Sequence, residues 1–281
     1  MSRKHKIGFM QGRFSPLING SIQAFPWPYW SDEFMLAERN RFHIMEWTLD
    51  HDRLYENPVM NVKGQKTIRS LIETHDITIP SLTGDCFMEA PFYKVSGEIK
   101  DSLLTDLKNV IEASAVVGIR NILIPLVDGG RLENEQQENI LLQGLSDLMP
   151  IIKRSKVSIS FESDFPPEQL FAFINKLDDK YFGITYDIGN SAAKGYISKE
   201  EIDLYGHRII NVHVKDRVLG GGTVPLGKGD ADIFGVFQSL YKKGYKGNYI
   251  LQTARAADEK HEEVLCGYRD MVSDWLDAVE K

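Results

Sequence analysis

Strand-like and helix-like patterns alternate along the whole chain, and this alternation constrains the fold more than any other feature of the sequence. Short apolar runs recur eight times, and a longer amphipathic segment follows each of them. Such alternation favours a parallel sheet, because each helix carries the chain back across the sheet between neighbouring strands. Eight units predict an α/β fold of the closed (β/α)₈ TIM barrel type. We expect residues 1–281 to form this barrel as a single domain.

Turn-forming and helix-boundary residues mark the limits of the predicted elements. Gly118 is placed to end one helix, Pro166 and Pro167 to begin another, and Asp232 to cap a third. The predicted strands cover residues 6–10, 42–47, 77–81, 121–125, 157–161, 183–186, 209–212 and 248–251. The predicted helices cover residues 33–38, 62–74, 98–117, 133–154, 167–177, 198–205, 232–242 and 258–279.

Composition excludes several classes of function. The chain has 33 Lys and Arg against 40 Asp and Glu, and its basic residues are scattered, so it lacks the basic patch of a nucleic-acid-binding protein. No apolar run approaches the length of a membrane span, and the basic first residues lead directly into a strand, so we expect neither a signal peptide nor a membrane segment. Cys86 and Cys266 are far apart and fit a reducing compartment, which predicts a cytoplasmic protein.

Four of the predicted strands end in a polar side chain that can bind a metal. These side chains are Glu162, Asp187, His213 and Gln252. The carboxyl ends of the strands meet at one face of a parallel barrel, so we expect the four side chains to converge there. Carboxylates together with an imidazole suit Mn²⁺, Co²⁺, Zn²⁺ or Mg²⁺. The sequence therefore predicts a site for one divalent metal ion.

The ionisable candidates also have purely structural interpretations. Glu162 could cap the following helix, although Ser163 and Asp164 are better placed for that role. Asp187 could form an Asx turn, and a lone histidine on a strand is often structural. His213 differs from the other histidines because two acids are expected at the same level of the barrel, which favours ligation.

Polar and aromatic side chains near other strand ends are candidates for substrate binding. Loops after the seventh and eighth strands often hold phosphate in such barrels, and basic residues occur there. Asp216 is expected to orient His213 or Lys215 from behind. The irregular segment 14–30 after the first strand either covers the substrate or packs as an extra loop. The candidate substrate contacts are Arg13, Glu46, Trp47, Asn190, Lys215, Arg217 and Arg255.

Several motifs together resemble a known family. The stretches FES, YDIGN, HVKD, VPLGKGDADIFGVFQSL and NYILQ are similar to those of the xylose isomerase-like TIM barrels, within the sugar-phosphate isomerase/epimerase branch. HVKD followed by VPLGKGDAD looks most like the ketopentulose-5-phosphate 3-epimerases, and IMEWTLDHDRL is similar to the segment after the second strand in that branch. The resemblance covers essentially the whole chain, with its most specific motifs between Glu162 and Gln252.

The resemblance implies a metal site and a mechanism. In this family a Glu, an Asp, a His and a final Glu bind one divalent metal, and these positions correspond here to Glu162, Asp187, His213 and Gln252. The two family glutamates exchange a proton on opposite faces of an enediolate, so Glu162 is implied as the catalytic base. Gln252 departs from the pattern, because an amide does not titrate in the useful range.

The amide at position 252 leaves two functions open. An aldose–ketose isomerisation moves the proton on one face of the substrate, so Glu162 alone could serve, which favours isomerase over epimerase chemistry. Inversion needs a second acid/base group, for which Glu46, Asp50, Asp85 and Asp128 are candidates. In the alternative, the chain is a catalytically altered or inactive member that acts as a carbohydrate-binding or regulatory module. The expected partners are a small sugar or sugar phosphate and further copies of the chain in a homodimer or homotetramer.

Overall fold

Eight parallel strands close into a barrel in the computed structural model, which describes residues 5–281. All pairs of neighbouring strands around the barrel are parallel. The predicted (β/α)₈ fold is confirmed, whereas the basic start at residues 1–4 lies outside the described range. The strands are β1 (Ile7–Met10), β2 (Ile44–Thr48), β3 (Thr78–Thr83), β4 (Asn121–Leu126), β5 (Ser158–Ser163), β6 (Phe182–Asp187), β7 (Ile209–Val214) and β10 (Asn248–Leu251). Their order around the barrel is β1, β10, β7, β6, β5, β4, β3, β2. A small antiparallel hairpin outside the barrel consists of β8 (Asp216–Arg217) and β9 (Thr223–Val224).

All eight predicted helices are present, and two short ones were not predicted. The additional helices are α3 (Asp85–Glu89), one residue after β3, and α7 (Ile188–Lys194), directly after β6. Both are too short to show a helical period in the sequence. Among the described residues, none of the helices combines the length and apolarity that a membrane crossing requires. The helices are α1 (Asp32–Arg39), α2 (Val62–His75), α3 (Asp85–Glu89), α4 (Gly97–Val117), α5 (Glu135–Ser155), α6 (Pro167–Ile174), α7 (Ile188–Lys194), α8 (Ser198–Tyr205), α9 (Ile233–Lys242) and α10 (His261–Val279).

Three helices have a boundary at the capping residues predicted for them, but the last helix begins three residues later than predicted. Gly118 ends α4 in the left-handed conformation with φ 93°, and the Asp232 side chain caps α9 by accepting a hydrogen bond from Gly235 N at 3.0 Å. The last helix begins at His261 rather than at residue 258. Glu259 has φ 60°, a left-handed conformation that cannot continue a right-handed helix.

The strands are apolar because both of their faces are covered. Every residue of β6 is buried, which is typical of parallel strands between a barrel interior and a helix layer. On the outer face, Phe161 packs edge-on against Phe173 of α6 at 5.2 Å between ring centroids. Towards the interior the side chains become polar, and the Ser160 and Thr185 hydroxyls lie 2.7 Å apart in a hydrogen bond. This polar interior leads up to the carboxyl ends of the strands.

The irregular segment 14–30 lies against the carboxyl face of the barrel. Glu33 of α1 anchors its beginning, because its carboxylate accepts hydrogen bonds from Gly12 N at 2.7 Å and Ser15 Oγ at 2.7 Å. Further along, Phe25 N donates to Asp50 Oδ2 at 2.7 Å, and Gln23 contacts groups at the barrel mouth. The segment is therefore both packed and placed beside the open end of the barrel.

Candidate active site

Three of the predicted metal ligands meet at the carboxyl ends of adjacent strands. Glu162 lies in β5, Asp187 ends β6, and His213 lies in β7 directly opposite Asp187 in the strand register. One ligand atom from each side chain lies within 4.8 Å of the others, and all three side chains are buried. The convergence expected from the strand ends is thus observed.

Hydrogen bonds fix the two carboxylates. Asp187 Oδ1 accepts a hydrogen bond from Asn190 N at 2.7 Å, and this bond caps the N-terminus of α7. Asp187 therefore also has the structural, Asx-type role that the sequence allowed. Lys215 Nζ donates to the other oxygen, Asp187 Oδ2, at 2.7 Å. Asn190 Nδ2 donates to Glu162 Oε1, while Arg217 Nη1 donates to Asn190 Oδ1 at 2.7 Å. Both carboxylates are therefore positioned, and Glu162 Oε2 stays free of the Asn190 amide.

His213 is held through one ring nitrogen and leaves the other facing the acids. Its Nε2 lies 2.6 Å from Glu46 Oε1, and neither side chain is exposed to solvent. Its Nδ1 lies 3.4 Å from Glu162 Oε2 and 4.0 Å from Asp187 Oδ2, and it has no hydrogen-bond partner within residues 5–281. A histidine held by a carboxylate on one nitrogen is the usual arrangement of a metal-binding imidazole.

The protonation of His213 reflects the surrounding carboxylates. Burial alone would lower the pKa of His213, but the charges of Glu46 and Glu162 raise that pKa to about 10. Burial would in turn raise the pKa of Glu46, yet His213 and the hydrogen bonds to its carboxylate lower it below the ordinary value. The imidazole is therefore an imidazolium at neutral pH when no cation is bound. A metal would take the place of the Nδ1 proton.

Gln252 follows the last barrel strand and presents a defined amide orientation. Its backbone N donates to Val214 O at 3.1 Å, and its Nε2 donates to Gln23 Oε1 at 2.8 Å. Its Oε1 is buried and, in the part of the chain that the structure describes, has no hydrogen-bond partner. Two carboxylates and an imidazole nitrogen form a donor set that fits a divalent cation, and Gln252 lines the same cavity as Glu162.

A cavity of about 400 Å³ adjoins this cluster and contains three of the predicted substrate contacts. Asn190, Lys215 and Arg217 line it together with Glu162 and Gln252. Its volume is within the range of sites that bind small organic molecules. The cavity therefore offers space for a substrate beside the candidate metal ligands.

A cavity of about 550 Å³ lies at the opposite end of the barrel. Ile7, Ile44, Thr78 and Asn248, the first residues of four strands, are among the residues that line it. Catalytic groups of such barrels lie at the carboxyl ends of the strands. The position of this second cavity thus favours the smaller one as the active site.

The expectation that Glu46 and Trp47 contact substrate is wrong. Neither side chain has any solvent-accessible surface. Glu46 points into the barrel interior, where Oε2 accepts from Ser81 Oγ at 2.5 Å and from Asn211 Nδ2 at 2.7 Å. Trp47 is part of the apolar core, and its Nε1 donates to Asn57 Oδ1 at 3.1 Å. Consecutive strand residues face opposite sides, and here both sides are closed.

Arg13 and Arg255 hold the segment 14–30 instead of lining the cavity. Arg13 is buried and donates to Ile22 O at 2.9 Å. Arg255 donates to the carbonyl oxygens of Gly12 and Ser15. Neither guanidinium lies among the residues that line the cavity, so the expected substrate contacts are replaced by structural ones.

Asp216 does not orient His213 or Lys215, contrary to expectation. Its buried carboxylate accepts hydrogen bonds from Gly227 N at 2.8 Å, Gly229 N at 2.9 Å and Ala231 N at 3.2 Å. It therefore stabilises the loop that leads into α9. Glu46 is the residue that orients His213, a role that its sequence position did not reveal.

Replacing Asp216 with alanine is expected to lower the free energy of unfolding by at least about 1–3 kcal/mol, because several backbone N–H groups lose a charged acceptor. Asp216→Asn retains one side-chain oxygen and should lose less. Urea unfolding of both variants measures the difference. If both variants had the same free energy of unfolding as the parent, these hydrogen bonds would not contribute to the stability of the fold.

The chain is similar in sequence to sugar-phosphate epimerases. Residues 35–270 match the family described as xylose isomerase-like TIM barrel. The L-ribulose-5-phosphate 3-epimerase UlaE of Shigella flexneri serotype 5b (strain 8401) is 24% identical over 259 residues, which cover 89% of each protein. UlaE of Escherichia coli (strain SMS-3-5 / SECEC) shows the same identity, 24%, over the same 89% of each chain.

Solved structures share the fold at lower identity. The IOLI protein, solved with a binding zinc atom, has a TM-score of 0.77 at 18% identity, over 98% of this chain and 99% of its own. D-Psicose 3-epimerase from Clostridium cellulolyticum H10, solved with D-tagatose, has a TM-score of 0.76 at 10% identity, over 96% of this chain and 99% of its own. At these identities the likeness concerns the fold alone.

Proposed function

Because the chain belongs to the xylose isomerase-like TIM barrel family, we propose that it is a divalent-metal-dependent isomerase or epimerase of a small sugar or sugar phosphate. The observation that carries the proposal is the buried cluster of Glu162, Asp187 and His213 beside a cavity of about 400 Å³. The UlaE relatives, named as 3-epimerases of a ketopentose phosphate, support the same class of reaction.

Glu162, Asp187, His213 Nδ1 and Gln252 Oε1 would hold the cation. When bound, Mn²⁺, Co²⁺, Zn²⁺ or Mg²⁺ would polarise a substrate carbonyl and stabilise the negative charge that develops on its oxygen. The unpartnered buried atoms of His213 and Gln252 support this assignment, since buried polar atoms without a partner are rare. The zinc atom of the IOLI protein is consistent with it.

Glu162 is the proposed catalytic base. The Asn190 amide holds one of its oxygens, which leaves Oε2 to accept a proton from the carbon next to the substrate carbonyl. The electron pair of the broken C–H bond then moves towards the carbonyl oxygen and gives an enediolate. In an isomerisation, Glu162 returns the proton to the adjacent carbon, while the proton of the neighbouring substrate hydroxyl passes to the former carbonyl oxygen.

Cationic side chains that line the cavity are available to bind an anionic group on the substrate. They are Lys215, Arg217, Arg131 and Lys194, and they line it together with the carboxyl groups of Asp50, Asp85, Glu89, Asp128, Glu162 and Asp164. Lys194 Nζ pairs with Asp164 at 2.9 Å, so these cations are already partly neutralised. A phosphate would share them with their protein partners, and we therefore propose Asn190, Lys215 and Arg217 as substrate contacts.

A non-catalytic binding module is the alternative, and Gln252 is the observation that favours it. The amide replaces the family's second catalytic glutamate and cannot accept a proton. In that case the cavity would still bind a sugar. Deuterium exchange between water and a bound sugar separates the two functions, because binding alone leaves the C–H bonds intact.

Metal binding is expected to raise the thermal unfolding midpoint of chelator-treated protein, because a ligand that binds the folded state stabilises it by mass action. The Asp187→Asn variant should lose this shift, since an amide is a weaker ligand, while it keeps an oxygen to cap α7. Gln252→Glu should enlarge the shift by adding a third carboxylate. Unfolding scans with Mn²⁺, Co²⁺, Zn²⁺ and Mg²⁺ measure all three. The metal assignment fails if no cation shifts the parent protein.

A further inference from the structure

A second buried carboxyl group lines the same cavity as Glu162. Asp85 is the first residue of α3, directly beyond β3, and its side chain is almost completely buried. It lines the cavity together with Glu162 and Gln252, so all three groups face one substrate-sized space. The metal-binding cluster described above does not include it. A buried carboxyl group in a cavity is costly unless it has a function or a firm partner.

Asp85 is connected to Gln252, which stands at the position of the family's second glutamate, by two hydrogen bonds that run through the side-chain amide of Gln23. Gln252 Nε2 donates to Gln23 Oε1 at 2.8 Å, and Gln23 Nε2 donates to Asp85 Oδ2 at 2.6 Å. Side-chain amides neither gain nor lose a proton near neutral pH, so this chain of hydrogen bonds positions groups and does not relay protons. It fixes Gln252 with its oxygen free and holds one oxygen of Asp85, leaving Oδ1 for other contacts.

The other candidates for a second acid/base group are either committed elsewhere or exposed. Asp128 lines the cavity but is an exposed residue. Glu46 is closed off inside the barrel. Asp50 Oδ2 accepts from Phe25 N at 2.7 Å, and Glu89 Oε2 accepts from His51 N at 2.7 Å, so both fix the backbone of neighbouring segments. Asp85 is the candidate that combines burial, cavity lining and a link to position 252.

We propose that Asp85 supplies the second acid/base group that Gln252 lacks, so that Asp85 and Glu162 act on the substrate from two sides of the cavity. The inference rests on the proposed isomerase or epimerase function. It assigns the reaction to epimerisation, because an aldose–ketose isomerisation needs one base only.

The proton balance of this reaction is simple. The Glu162 carboxylate removes the proton from the carbon beside the carbonyl, and the electron pair of that C–H bond forms the enediolate. The Asp85 carboxylic acid then donates its proton to the same carbon from the other side, so a new C–H bond forms with inverted configuration. Glu162 ends protonated and Asp85 ends as a carboxylate, and exchange with water restores both.

The surroundings of Asp85 support a group that can give and take a proton near neutral pH. Burial raises the pKa of Asp85, the hydrogen bond from Gln23 lowers it and nearby carboxylates raise it, so that the pKa is about 7. Both protonation states are then populated at neutral pH, which is the best condition for general acid/base catalysis. The charged or titratable neighbours are Arg13, Asp50, Cys86, Glu89 and Glu162.

The test compares Asp85→Asn with Glu162→Gln and with the matched control Asp50→Asn. The metal-loaded proteins are incubated in D₂O with L-ribulose 5-phosphate and with D-tagatose, and NMR follows deuterium entry and the inverted epimer separately. Asp85→Asn should lose inversion by about 10²- to 10⁴-fold yet keep deuterium entry with retained configuration. Glu162→Gln should lose both signals. Asp50→Asn should keep both and shift the pH profile of inversion to lower pH, because one repelling charge is removed.

Infrared spectroscopy gives a readout that does not depend on turnover. Burial raises the pKa of Glu33 and of Asp50 to about 6, so their neutral carboxylic acid bands remain in both the Asp85→Asn and the Glu162→Gln variant. The additional band that titrates near pH 7 in the parent should be absent from Asp85→Asn and present in Glu162→Gln. Absence of this band from the parent overturns the role of Asp85.

The turnover outcomes separate the two proposals. Unchanged inversion in Asp85→Asn, or conversion to an aldose without any epimer in the parent, overturns the role of Asp85 and leaves the isomerase or epimerase function standing. Equal loss of exchange and inversion in Asp85→Asn also overturns it, because Asp85 would then be needed for proton removal as well, and not only for proton donation from the other side. No exchange with either probe in the parent overturns the proposed function together with this inference.

Discussion

The Glu162→Gln variant is expected to lose proton exchange into substrate by about 10²- to 10⁴-fold, the contribution typical of a general base. Glutamine has nearly the same shape and can still accept the Asn190 hydrogen bond that fixes Glu162 Oε1. Its amide cannot accept the substrate proton. The loss should therefore appear in the rate of exchange, with the fold retained.

Deuterium entry from D₂O into a ketose or its phosphate, followed by NMR, measures this effect. Glu168→Gln is a matched control, because it makes the same change at an exposed position of α6, at the end of the same βα connection. That control should exchange at the parent rate. Exchange in Glu162→Gln at the parent rate would show that another group removes the proton. A thermal midpoint close to that of the parent in both variants ensures that the comparison concerns chemistry.

Patterns that depend on burial were readable from the sequence. All eight barrel strands could be predicted because parallel strands are covered on both faces and appear as apolar runs. The convergence of Glu162, Asp187 and His213 could be predicted because parallel strands bring their carboxyl ends to one face. These inferences need only the period and direction of the strands.

Other features depend on contacts between distant segments and could not be predicted. Glu46 and Glu162 both lie near strand ends, but only the assembled barrel shows that Glu46 faces His213 in a closed interior. Gln23 lies in a segment without periodicity, so nothing in its surroundings indicated a link to Gln252 and Asp85. Asp216 precedes a Gly-rich loop, and the fold of that loop decides its role.

Replacing Glu46 with glutamine is expected to reduce the free energy of unfolding by about 3–5 kcal/mol, the cost of leaving a buried charge without its partner. Glu46 and His213 are fully buried, with Oε1 and Nε2 at 2.6 Å. The same change should weaken metal binding by about 10- to 100-fold, because the imidazole loses the group that orients it. Urea unfolding and metal titration measure the two effects.

The pH dependence of the destabilisation identifies its cause. The pKa of His213 is raised in the folded protein from an ordinary 6.5 to about 10, so this pair stabilises the fold fully below pH 6.5 and loses its effect as the pH rises to 10. The pKa of Glu46 is lowered from an ordinary 4.5, so its contribution is present above that value and lost in acid. The stability difference between parent and Glu46→Gln should therefore be largest between about pH 4.5 and 6.5 and shrink towards pH 10. A difference that stays constant from pH 5 to pH 9 would contradict this, because altered packing without altered charge has no such pH dependence.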